Sequence, residues 1–160
     1  MRVMPFRFFV TLMLLSVLAV SIWSPASAQE MTCPEHTPVT IDIRPGGYPN
    51  RINLSSMGLV AVAVLSTPDF DASQFNPEMA HLSDAATAMT NGCSGAMAVR
   101  WVLDDVNRDR LIDLVFFFNI QDLDLTPSST AATLMAHGTY GSSPLHIIGT
   151  DSVVVKPRTG

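Results

Sequence analysis

Seven consecutive apolar residues, Leu59-Val60-Ala61-Val62-Ala63-Val64-Leu65, stand between Gly58 and Ser66-Thr67-Pro68. The run is short for a helix buried on every side, and its valines favour extended backbone. A strand with apolar residues on both faces is buried on both faces, so the segment predicts a place at the centre of a sandwich. Val60, Val62 and Val64 share one face and Ala61 and Ala63 the other. Close packing by another sheet would explain the alanines.

The remaining chain repeats the theme in shorter pieces. Residues 39–43 alternate and are β-branched, and Pro45-Gly46-Gly47 stops them. Residues 48–53 read as irregular, residues 72–77 as a turn or one helical turn, and residues 79–82 as a short strand. Residues 83–95 are small and polar and read as a loop. Residues 98–103 form a strand with Val99, Trp101 and Leu103 on one face, and Trp101 is expected in the core. Residues 112–120 form the most hydrophobic strand of the domain. Residues 130–136, 145–148 and 152–155 complete the set. Many short strands, turn signals between them and no amphipathic helix predict an all-β fold: a single antiparallel β-sandwich, immunoglobulin-like in plan.

The chain opens with Arg2 and Arg7, an uncharged run over residues 8–22, and Ser24-Pro25-Ala26-Ser27-Ala28. This is the pattern of a secretory signal peptide over residues 1–28, cleaved after Ala28. A tail over residues 29–38 and a sandwich domain over residues 39–157 would follow. The apolar run falls short of the roughly 20 residues of a spanning helix, and no second such run lies near the C-terminus. The expectation is a secreted or periplasmic protein without a membrane anchor after cleavage. Arg2 and Arg7 are the only basic residues before Gln29, so the exported part keeps seven of nine Lys and Arg and all 14 Asp and Glu, a net charge of −7. That excess argues against nucleic acid and anionic membrane surfaces as partners. Cys33 and Cys93 both lie in this part. Export permits a disulfide between them, while two free thiols or an intermolecular link are the alternatives.

The chemistry concentrates in Asp104-Asp105-Val106-Asn107-Arg108-Asp109-Arg110-Leu111-Ile112-Asp113, which runs straight into the hydrophobic strand. Oxygen-bearing side chains alternate at Asp105, Asn107 and Asp109, and Asp113 follows. A hard cation such as Ca²⁺ takes six to eight oxygens from a curled loop. Asp105, Asn107 and Asp109, the Leu111 carbonyl and the Asp113 carboxylate would supply loop positions 1, 3, 5, 7 and 9. The loop resembles the calcium loops of dockerins, thrombospondin type 3 repeats and FG-GAP repeats. It departs from them at Arg110, where the sharp turn usually takes glycine; with Arg108 close by, this places the expected affinity at or below the weak, extracellular end of the calcium range. Asp104, Asp122 and Asp124 are candidates to complete the shell.

No catalytic constellation stands out, and the expectation is that the protein is not an enzyme. His36, His81, His137 and His146 are scattered, with no pair at metal-ligand spacing, and read as surface or turn residues. Over residues 39–156 the chain resembles an uncharacterised domain of exported bacterial proteins. The segments that carry the resemblance are Ile41-Asp42-Ile43-Arg44-Pro45-Gly46, Pro49-Asn50-Arg51-Ile52-Asn53, Thr67-Pro68-Asp69-Phe70-Asp71, the acidic loop, and Asp151-Ser152-Val153. The resemblance implies a secreted β-sandwich module with a calcium loop, often an accessory part of larger proteins, and it implies no activity. Two functions remain open. One is an exported, non-enzymatic module whose calcium loop stabilises the fold. The other is a carbohydrate- or cell-surface-binding protein that presents Trp101 or Tyr48 to a glycan or surface protein.

Overall fold

The computed structural model describes residues 33–158. The signal peptide expected over residues 1–28 and its cleavage point lie outside the described residues. Ten strands follow in order: β1 (Thr37–Pro38), β2 (Ile41–Ile43), β3 (Arg51–Asn53), β4 (Leu59–Val64), β5 (Phe75–Asp84), β6 (Ala96–Asp104), β7 (Asp113–Asn119), β8 (Ala131–Tyr140), β9 (Ser143–Ser152) and β10 (Val154–Lys156). Eight of them form one curled sheet in the order β1-β9-β8-β5-β6-β7-β4-β2, and β10 pairs with β3 in a small second sheet. The protein is an all-β sandwich, as its short apolar runs require. Most pairings are antiparallel; β1 with β9 and β10 with β3 are parallel.

Two chain segments turn the long sheet into opposed layers. β6 begins against β5, with Ala96 opposite Leu82 and Met97 opposite His81, and then continues against β7 from Ala98 to Asp104. A register shift between Ala98 and Arg100 marks the corner; bulges of this kind let one strand serve two layers. On the other flank, β1 lies along β9, and Val39 still donates to the Ile148 carbonyl at 2.8 Å. One residue later the Thr40 carbonyl accepts from Leu65, and β2 runs along β4. The crossing is tight enough to require Gly149: a Cβ there would lie 2.4 Å from Ile41 Cγ2 and 2.9 Å from the Val39 carbonyl oxygen.

The core between the layers is built from alternate residues of the facing strands. Val60, Val62 and Val64 of β4, Leu114, Phe116 and Phe118 of β7, Leu82 of β5 and Leu134 of β8 are all buried. The central apolar run is therefore a core strand, paired with β2 on one side and β7 on the other. Cys33 and Cys93 are joined by a disulfide with Cα atoms 5.7 Å apart, within the usual span. It ties the segment before β1 to the β5–β6 turn across a sequence separation of 60 residues. In the chain-entropy account such a closure restrains the unfolded chain by about 4 kcal/mol.

Several elements depart from the sequence expectation. β5 runs for ten residues, where a turn, a four-residue strand and a loop were expected. Its pairing with β8 shifts register between Pro77 and Met79, the kind of place where a strand tolerates proline. Arg51–Asn53 is a strand, not an irregular segment, because β10 pairs alongside it. Thr37 and Pro38 pair with β9, so ordered structure begins inside the expected tail. Trp101 lies at the surface.

Candidate metal centre

The acidic loop joins the end of β6 to the start of β7, where Asp104 and Asp113 face each other as the last cross-strand pair. Its side-chain oxygens turn inward onto its own backbone. Asp105 accepts from the N–H groups of Asp109 at 3.1 Å and Arg110 at 3.0 Å. Asn107 accepts from Asp109 N–H at 3.0 Å and donates its amide to Asp109 at 2.8 Å. Asp109 in turn accepts from Leu111 N–H at 2.8 Å. Alternate residues meet because the backbone curls, and it curls through left-handed conformations at Arg108 (φ 63°) and Arg110 (φ 76°). Arg110 thus occupies the conformation that glycine usually provides at this position, at a cost of about 1–2 kcal/mol.

Asp113 differs from the other loop carboxylates. It is fully buried. One of its oxygens accepts from Ser66 N–H at 2.8 Å and the other from Val106 N–H at 3.1 Å. Ser66 is itself buried; its hydroxyl donates to the Ile112 carbonyl at 2.6 Å and accepts from Ala72 N–H at 2.8 Å. The carboxylate therefore fastens the loop to the chain that leaves β4. That chain contains Thr67 to Asp71, where Thr67 and Phe70 exchange backbone hydrogen bonds and Asp71 caps the following 3₁₀ turn.

Among the described residues no three His, Cys, Asp or Glu side chains form a ready metal-holding group. The loop offers a mixed oxygen set instead: the carboxylates of Asp105, Asp109 and Asp113, the Asn107 amide and the Leu111 carbonyl. Amide and carbonyl oxygens are proper calcium ligands, and here the side-chain oxygens accept from the loop's own N–H groups. The outlying acids are engaged elsewhere. Asp122 accepts from Asn119 at the far end of β7, roughly 20 Å from Asp113 by strand rise, and Asp124 accepts from Asp84 N–H at 3.0 Å.

Residues from three separate segments, Ile43, Asn50 and Ser152, meet at a second carboxylate, Asp151. It accepts from Ile43 N–H at 2.9 Å and from the Asn50 amide at 2.8 Å through one oxygen, and from Ser152 N–H at 2.7 Å through the other. Asn50 also donates to the Ser152 carbonyl at 3.0 Å. Burial pushes the nearby Asp42 carboxyl above its usual range, and the charge of Asp151 adds to the effect. With its oxygens occupied by three donors, Asp151 is built as a structural anchor. Arg44, in the left-handed region at φ 60°, donates to the Arg51 carbonyl and sets the bend between β2 and β3.

Beside the acidic loop, β6 is exposed from Val99 to Asp104. Trp101 retains 43% of its surface in water, and Tyr48, on the turn before β3, retains 94%. Where β6 leaves β5, a cavity of about 250 Å³ opens, lined by Met79, Met97, Val99, Arg100 and Trp101 with Phe116 behind them. Sequence reasoning placed Trp101 in the core from its alternation with Val99 and Leu103. The register shift between Ala98 and Arg100 breaks that alternation at Val99, and beyond the parting from β5 both faces of β6 are exposed.

No family model matches the chain, and no curated protein matches it either.

Proposed function

We propose that this is an exported, non-enzymatic β-sandwich module in which the loop from Asp105 to Asp113 holds Ca²⁺ as a structural ion. The observation that carries the reading is the inward turn of the Asp105, Asn107 and Asp109 oxygens above a buried Asp113 anchor. Clustered carboxylates repel one another in a closed loop, and a divalent cation removes that repulsion. Asp105, Asn107 and Asp109 would bind through side chains, Leu111 through its carbonyl and Asp113 from below. The signal-like N-terminus, the disulfide and the acidic net charge agree with life outside the cytoplasm, in millimolar calcium.

The test is a thermal melt in EDTA and across a Ca²⁺ series, with Mg²⁺ as control. An ion that binds only the folded chain adds about 2.7 kcal/mol at a hundredfold excess over its dissociation constant. The midpoint rises with Ca²⁺ and not with Mg²⁺, and Asp109→Ala removes the rise. A flat midpoint through millimolar Ca²⁺ refutes the reading.

The exposure of Trp101 beside the loop favours a second role on the same scaffold, the binding of a carbohydrate or cell-surface partner. An indole at a shallow cleft of mixed polar and apolar lining is the kind of platform on which a sugar ring stacks, and Arg100 and Glu78 at the same cleft offer polar partners. Binding to immobilised glycans that survives Trp101→Ala, or that is absent from the native protein, removes this reading.

A further inference from the structure

The four histidines of the chain, 45 residues or more apart for the most part in sequence, line one cavity. Its volume is about 290 Å³, and Met135 and the Cys33–Cys93 bridge border it. Strand register explains the gathering. His137 of β8 and His146 of β9 are a direct cross-strand pair. His36 directly precedes the pairing of Thr37 with Ile147, which sets it alongside His146. His81 of β5 pairs with Met135, two residues from His137 on the same face. The ring centroids of His36 and His146 are 5.8 Å apart, and those of His137 and His146 are 5.7 Å apart.

We propose that this histidine row is a binding site for a divalent transition-metal ion of the Zn²⁺, Ni²⁺ or Cu²⁺ series, with His146 as the central ligand, His36 and His137 flanking it and His81 completing the set. Imidazole nitrogen suits these ions, whereas Ca²⁺ and Mg²⁺ prefer oxygen. Two imidazoles on one tetrahedral ion, each bonded at 2.0–2.1 Å, have ring centroids about 5 Å apart. The observed separations exceed that by less than an ångström. The rings do not yet converge on one point as a three-ligand group. The four side chains are half-buried, and ligation requires that they turn about χ1 and χ2 toward one point.

The surroundings favour ligation. His81 Nδ1 lies 3.4 Å from the Gly95 carbonyl oxygen. In the tautomer with the proton on Nδ1, this contact leaves Nε2 free to ligate, the common device for orienting a metal-bound histidine. The site stands on β5, β8, β9 and the segment before β1, and shares no residue with the acidic loop.

Isothermal titration of the untagged protein with Zn²⁺, Ni²⁺ and Cu²⁺ in turn, in chelator-free buffer at neutral pH, tests the proposal. One ion binds per chain, and Ca²⁺ neither mimics nor displaces it. His146→Gln weakens binding by more than about tenfold, His137→Gln does the same, and Asp109→Ala leaves it unchanged. Superimposable melts of the glutamine variants and the native protein exclude loss of folding as the cause. Absence of saturable binding, or binding of full strength in a folded His137→Gln, His146→Gln double variant, overturns the assignment. Neither result depends on whether the acidic loop holds calcium.

Discussion

β6 and β7 are neighbours, paired residue for residue from Trp101 opposite Phe116 to Asp104 opposite Asp113, and both are rich in apolar residues. Yet Leu114, Phe116 and Phe118 of β7 are buried, whereas Val99, Trp101 and Leu103 of β6 keep close to half of their surfaces in water. β7 has a strand on each side, β4 and β6. β6 parts from β5 after Met97, and from there nothing else in the long sheet pairs with it among the described residues. Pairing a strand therefore does not bury it; a facing layer does. An exposed apolar edge is a liability that proteins usually blunt with charge, and Arg100 and Asp104 supply charge here. The two strands divide the work: β7 holds the sandwich together, and β6 offers a surface.

That division can be broken most sharply at the cross-strand pair Phe116 and Trp101. Phe116→Ala empties a site in the core and costs about 3–5 kcal/mol. Trp101→Ala removes a larger side chain but leaves no enclosed void, and it costs less than about 1 kcal/mol. Urea unfolding of both variants measures the contrast, and similar losses would mean that β6 is as much core as β7. If β6 is a binding surface, Trp101→Ala abolishes glycan or cell-surface binding while the protein stays folded.

The acidic loop repeats the contrast between anchor and surface on a smaller scale. Asp113→Ala strands the buried N–H of Ser66 and the N–H of Val106, each left without its acceptor. The expected loss is about 2–4 kcal/mol, with or without calcium. Asp109→Ala removes an exposed acceptor for the Leu111 N–H and the Asn107 amide, and costs less than about 1 kcal/mol in EDTA. Its effect is on the calcium response. Denaturant titration in EDTA separates the two, and an Asp113→Ala protein as stable as the native one would show that the loop is not anchored through this carboxylate.

The parts that were legible in the sequence are those determined locally. Leu59 to Leu65 is bounded by turn residues and apolar throughout, so its extended state and the burial of its valines could be read directly, while Leu59 itself is exposed and the strand ends at Val64. The curl of the acidic loop was legible because oxygen atoms on alternate residues meet only if the backbone bends. Even Arg110 was identifiable as the awkward position, and its positive φ bears this out. β5 was hidden because Asn76, Pro77 and Glu78 interrupt its pattern, and the register shift that accommodates Pro77 depends on β8. The exposure of Trp101 depends on where β6 leaves β5, a tertiary event with no trace in the alternation of residues 98–103. The histidine row is the extreme case. Four segments must pair in one register before residues 36, 81, 137 and 146 become neighbours, and single-chain spacing carries no record of that.

The finest probe of the two strands is Arg100, which with Val102 meets the outer side of β7. Its guanidinium carbon lies 3.7 Å from the centre of the Phe117 ring, and the two residues are direct cross-strand partners. A cation over an aromatic face is worth about 0.5–1 kcal/mol at an exposed site. The aliphatic stem of the arginine also covers part of the ring, so substitution by alanine mixes two losses. Arg100→Met keeps the stem and removes the charge, and Arg100→Ala removes both. If β6 is held to β7 partly by charge, Arg100→Met costs about half a kcal/mol and Arg100→Ala somewhat more. If methionine is as good as arginine, the contact is ordinary packing, and the charge on this strand serves to keep its open edge in water.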